Sequence, residues 1–295
     1  MSKNNMNIIE MSTDKREIES LIYLLEDPDP EVQTGVQNRF RELGENAVPL
    51  LDEYRTGSVK DSEKETIDNI IYNITYESML EEYAAVVEQG IDTPEQLEEA
   101  LLALSRFGNP TLRPGEVKKK LNQLSSQVGG DIAYTPSMVE KMQIMLQFVF
   151  RELRFRGDSK NYHHPDNAFL DRVIERRKGL PIMLGIVVLL LSRRLELPFY
   201  GVNMPIHFML MYETYSQEIL IDPFDGGTIV TYDQCCHFLK KNGIEPRPQH
   251  LQKTDELSIL LRTIRNLIHS YAKRQDEKRV NDLRHLLQLA EKSRD

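Results

Sequence analysis

The 295 residues exceed one ordinary domain of roughly 100–200 residues, so the chain reads as two or three units with room for a sizeable core. With 46 acidic against 37 basic residues and a net charge of −9, it lacks the positive field that nucleic-acid binding requires, and no nucleic-acid partner is expected. The two cysteines, Cys235 and Cys236, are adjacent and cannot staple distant segments, and the opening MSKNNMNIIEMSTDKREIES holds no apolar run of signal-peptide length, so the expected location is the reducing cytoplasm.

From Ile18 to about Gly57 apolar residues recur at helical spacing, broken at Asp27-Pro28-Asp29-Pro30 and at Gly44, which predicts short antiparallel helices. The order of Asp-Pro turn, amphipathic helix, Leu-Gly break and Ala-Val-Pro-Leu-Leu resembles one HEAT-type unit, fewer than the several a solenoid needs to bury its faces. This helical region is assigned to residues 1–75. Helices continue over Thr93–Ser105, Pro114–Val128 and Pro136–Arg156; the last carries Met138, Met142, Met145, Leu146 and Val149 on one face, read as core. After the loop GDSKNYHHPDN the spacing predicts a helix capped by Asn167, with Arg176, Arg177 and Lys178 against its dipole and Gly179 in the left-handed stop position.

Leu180–Leu191 contains neither charge nor hydrogen-bonding side chain. It is well short of the roughly 20 residues that span a bilayer, so it reads as a buried core helix, started by Pro181 and returned to solvent by Arg193 and Arg194, with no membrane partner. Beyond Pro198 the period changes to two, and FYGVN, HFMLMYE, EILIDP and TIVT predict a small antiparallel sheet. Residues 76–245 therefore form one α+β core in a mainly helical chain. Residues 246–295 are assigned to a helical hairpin, turning near Arg274 to Glu277, that looks like a tetratricopeptide unit.

If HFMLMYE and EILIDP pair through a turn at Thr214–Gln217, Glu213 lies opposite Glu218 and Met209 opposite Asp222. His207 and Asp222 then sit diagonally on one face, roughly 7–8 Å apart at the backbone. A carboxylate that orients an imidazole is the base half of a nucleophilic triad, and it is equally a structural pair at a sheet edge. A third member belongs at the N-terminus of a buried helix, where the dipole lowers a thiol pKa and backbone N–H groups hold an oxyanion. Here that tip is Gly179-Leu180-Pro181-Ile182.

The run from YHHPDNAFLDRV through RRKGLPI and GVNMPIHF to DPFDGG resembles the bacterial SirB-type proteins of the transglutaminase-like superfamily, with its papain-like core, over roughly residues 80 to 240. The resemblance implies a cysteine at the helix start, a histidine on the next strand and an aspartate before a proline on the following one. His207 and Asp222 match; Pro181 stands at the nucleophile position. The resemblance also assigns Asn203, Phe208, Asn167 and Tyr162 to a binding groove, and Ile206 replaces the glycine expected before the histidine, narrowing the groove beside it.

Rival signals are weaker. Thr231-x-x-Gln234 is a capping box that places Cys235 in the first turns of a helix, where the dipole mildly favours a thiolate, but both cysteines follow His207 and read as packing residues. Cys235-Cys236-His237 and His163-His164-Asp166 have poor metal spacing, the latter suiting a capped loop, and Gly226-Gly227 reads as a hairpin turn. No metal or cofactor is expected. The two functions open at this point are a non-catalytic module that binds a protein or peptide ligand, and a hydrolase or amidase using His207 and Asp222 without a cysteine.

Overall fold

The computed structural model describes residues 16–57 and 61–294; residues 1–15, on which most of the leader-sequence reading rests, lie outside it. The described residues divide into two compact units, those up to Glu81 with 109–111, and those from Glu82 to 108 and from 112 onward. In the first, a helix over 16–23 (α1) is followed by α2 (Pro30–Leu43), α3 (Val48–Thr56) and α4 (Asp61–Val87), the last belonging to this unit as far as Glu81. Asp29 starts α2 by accepting the Glu31 N–H at 2.8 Å, Pro30 gives up no needed donor, and Gly44 ends the helix with φ +59°. Phe40, Leu51 and Ile67 are at the centre of its core.

The second unit is α+β. Its helices are α5 (Pro94–Gly108), α6 (Pro114–Tyr134), α7 (Met138–Gln147), α8 (Leu170–Arg176), α9 (Pro181–Arg193), α10 (Tyr232–Lys241), α11 (Glu256–Lys273) and α12 (Glu277–Lys292). Every residue of α9 from Pro181 to Ser192 is buried, because α5–α8, α11 and the sheet all pack around it. A helix covered on all sides has no use for a polar stripe, and each enclosed Leu, Ile or Val adds about 1.5–3 kcal/mol of burial. The α7 methionine stripe is core at Met142 and Met145.

Two short strands, β1 (Arg156–Gly157) and β2 (Lys178–Gly179), pair in parallel, and the main sheet follows as β3 (Phe199–Val202), β4 (Met209–Glu213), β5 (Glu218–Asp222) and β6 (Thr228–Val230), antiparallel throughout in that order. The β4–β5 register has Glu213 opposite Glu218 and Leu210 opposite Ile221, as the turn at Thr214–Gln217 predicts. Both faces are covered. Leu210 lies against Gly185 of α9, while Met209, Met211 and Leu220 join Cys235 and Leu239 of α10.

Local expectations are corrected at three places. Asn167 does not cap α8: it closes a 3-10 turn over Pro165–Asn167, Phe169 is the N-cap, and the Leu170 N–H donates instead to Ser105 Oγ at 3.1 Å. The left-handed stop is Arg177 (φ +56°), whose guanidinium donates to Leu153 O, and Gly179 is a β2 residue facing Gly157. Full burial ends at Arg193 and Arg194 as expected, but Arg194 is not free in solvent. It donates to Glu98 at 2.7 Å and to Asn122 at 2.7 Å, and Glu98 is 4% exposed, so a buried ion pair closes that end of the helix.

Candidate functional site

The candidate site lies at the end of the main sheet. His207 precedes β4 instead of belonging to it, because the chain turns sharply there: the His207 N–H donates to Met204 O at 3.2 Å and Ile206 adopts φ +58°. A β-branched residue with positive φ is strained, and a glycine at this position would not be. The Ile206 side chain is 57% exposed, so it projects to solvent.

Asp222 ends β5. Its Oδ1 accepts the N–H groups of Phe224 at 2.8 Å and Asp225 at 3.2 Å, and its Oδ2 lies 2.9 Å from His207 Nε2. The carboxylate thus fixes the β5–β6 turn with one oxygen and meets the imidazole with the other. Nε2 is buried, and its close polar contact is with Oδ2. Burial works against the charged carboxylate, but contact with His207 and the two backbone N–H groups outweigh it, and the Asp222 pKa is lowered.

The imidazole sits between two rings, with Phe238 of α10 at 5.9 Å and Phe224 at 6.5 Å. Phe224 also meets Tyr162 at 5.9 Å and packs against Gly157, where a Cβ would fall 2.2 Å from the ring. Gly157 pairs with Gly179, two residues before Pro181, and Phe208, next to His207, fills the space beside Gly185 one turn into α9. These two chains of contact link the site to the first turns of the core helix. Pro181 is the first residue of α9, buried, with neither a nucleophile nor a backbone N–H to offer.

Of the residues assigned to the groove, Tyr162 reaches the site and is 38% exposed. The other three do not. Asn167 is fully buried, donating to Asn161 O at 2.7 Å and accepting from Arg176 at 3.0 Å, so it folds the loop before α8. Phe208 is 1% exposed and packs between Gly185 and Gly201 as core. Asn203 donates to Thr254 Oγ1 at 3.0 Å and lines a separate cavity with residues of α11 and α12.

Phe224 and Phe238 are the residues that sequence reasoning left out of the site, while Cys235 is the packing residue it was read as. Phe224 stood within the Asp-Pro-Phe motif; Phe238 had no signal beyond its place in a capped helix. The Thr231–Gln234 capping box of α10 forms as predicted, yet burial, Cys236 and the Asp222 charge push the Cys235 thiol up to about 11 and keep it protonated, overriding any help from the helix dipole. In the 157–167 loop, His164 caps the 3-10 turn by accepting the Asp166 N–H at 3.3 Å. Among the described residues no three His, Cys, Asp or Glu side chains gather as a metal-ligand group, and no helix is long and apolar enough to cross a membrane.

Comparison with known proteins gives a consistent result. A family model described as the transglutaminase-like superfamily matches residues 115–265. A UPF0162 protein of Pseudomonas aeruginosa is 32% identical over 183 residues, covering 61% of this chain and 67% of that protein. A UPF0162 protein of Vibrio cholerae is 28% identical over 168 residues, 56% and 62% of the two chains, and protein SirB1 of Salmonella typhimurium is 31% identical over 114 residues, 38% and 42%. The chain spans less than two thirds of the Vibrio relative and 49% of a Xylella fastidiosa relative. No solved structure matches.

Proposed function

The chain belongs to the transglutaminase-like superfamily as a SirB-type protein, and on that premise we propose that it is a non-catalytic module that binds an extended peptide or protein segment beside His207. The observation that carries this reading is the apolar rim of the site. Tyr162, Ile206 and Phe238 are each more than a third exposed, and all three flank the imidazole through Phe224, through the chain or directly. Exposed apolar groups gathered around a few fixed polar atoms suit a ligand that buries one side chain and hydrogen-bonds beside it. The cysteine chemistry of the superfamily lacks its nucleophile at the helix tip, where Pro181 stands, and burial holds the Cys235 thiol protonated.

Fluorescence anisotropy with a library of extended peptides tests the reading. Peptides with one large apolar side chain are expected to bind, and Phe238→Ala to weaken them by about tenfold. A library without binders, or binding indifferent to Phe238→Ala, would overturn it. A second reading rests on the 2.9 Å His207–Asp222 contact: a hydrolase or amidase in which His207 deprotonates a water while Asp222 holds the imidazole. It requires His207-dependent turnover of a peptide-like bond.

A further inference from the structure

A second cavity, distinct from the His207 site, opens where the end of β3 meets the C-terminal helical hairpin. It measures about 590 Å³, and its polar lining is Asn203, Ser258, Arg262, Arg265, Glu291 and Arg294. The lining residues thus include three arginines and one glutamate, in a chain whose net charge is −9. Glu291 is taken by Arg265 at 2.6 Å. Asp255, which feels the Arg294 charge, is already committed to capping α11 through the Ser258 N–H at 2.7 Å and hydroxyl at 2.8 Å.

Arg262 has the least comfortable position. It is half-buried, burial pulls its pKa down, and its protein partners are neutral: Met204 O at 2.9 Å and Asn203 Oδ1 at 3.5 Å, both through Nη1. Among the described residues neither Nε nor Nη2 has a hydrogen-bond acceptor, and Arg262 lines the cavity. A partly desolvated guanidinium with two unused donor positions, beside two more arginines, matches an oxyanion bound by paired N–H groups.

We propose that this cavity binds a small molecule through a dianionic oxyanion group, either a phosphate monoester or a dicarboxylate. Arg262 supplies a guanidinium with no carboxylate partner among the described residues, Arg294 adds a second, and Arg265 is shared with Glu291. The site also touches the other one, because Arg262 holds Met204 O, three residues before His207, so an anion drawing on Arg262 acts on the loop that carries the imidazole.

Isothermal titration of the full chain with inorganic phosphate and with malonate, at ionic strength matched with chloride, tests the assignment. One-to-one saturable binding is expected for at least one of them, weakened about tenfold by Arg265→Gln and by Arg294→Gln, both exposed positions that leave the core untouched. Glu291→Gln is expected to tighten binding, a gain that a damaged fold cannot imitate. Tighter phosphate assigns a phosphate ester and tighter malonate a dicarboxylate. Absence of saturable binding by both anions, or affinities unchanged in the two arginine variants and Glu291→Gln, would overturn the proposal; the peptide measurement at His207 is independent of it.

Discussion

The two ends of the core helix α9 are secured by opposite means. At its C-terminal end Arg194 is locked to Glu98 and Asn122, a charge pair that is worth having only because both partners are present and correctly placed. At its N-terminal end no charge pair is used: Pro181 starts the helix, the Leu180 N–H donates to Asn167 O at 2.9 Å, and the neighbouring loop holds Ile206 in a left-handed conformation. One end concentrates stability. The other tolerates strain and gathers exposed rings around His207, the pattern expected at a functional surface.

Glu98→Ala attacks the stable end. It leaves the Arg194 guanidinium, 17% exposed, without its carboxylate, and should lower stability by about 3–5 kcal/mol in denaturant unfolding. Double replacement by apolar residues should recover most of the loss. Gly185→Ala tests the link between helix and site: its Cβ would fall 2.5 Å from the Phe208 ring, so a cost of about 1–3 kcal/mol is expected, together with altered peptide binding beside His207.

Asp222→Asn keeps the turn's acceptor but removes the charge facing His207, and should cost about 1–2 kcal/mol at neutral pH. Because folding lowers the Asp222 pKa, its contribution is complete above the unfolded value near 3.9 and is lost as pH falls through the lower folded one. Acid unfolding of the variant should therefore be flatter below about pH 4 than that of the wild type. The smallest effect has the opposite sign: Ile206→Gly relieves the positive φ and should raise stability by about 1 kcal/mol despite the greater freedom of the unfolded chain. If that variant is destabilised, the Ile206 side chain contributes packing that its 57% exposure conceals.

The hairpin was legible because a strand has period two and a four-residue turn leaves one register, so Glu213 and Glu218 could be placed by counting, whereas His207 meets Asp222 from the turn before β4 and not from the strand the count assumed. The apolar helix was legible because only a segment covered on every side dispenses with a polar face. What counting missed depends on partners remote in sequence. Arg194 and Glu98 are separated by 96 positions, and Asn167 looked like a helix cap until Arg176 claimed its oxygen. Phe208 carried a motif position into the core because Gly185 and Gly201 left a slot of its shape. The kink at Ile206 was visible as a departure from the resembled glycine, but its cause, a positive φ, is a backbone property that a residue name does not display.

The central claim is that the end of the molecule around Pro181 and His207 binds without performing chemistry. Its most direct test is turnover of peptide amides, esters and thioesters by the pure protein, compared with His207→Ala. The account predicts equal, background rates for both; turnover that disappears in His207→Ala would contradict it.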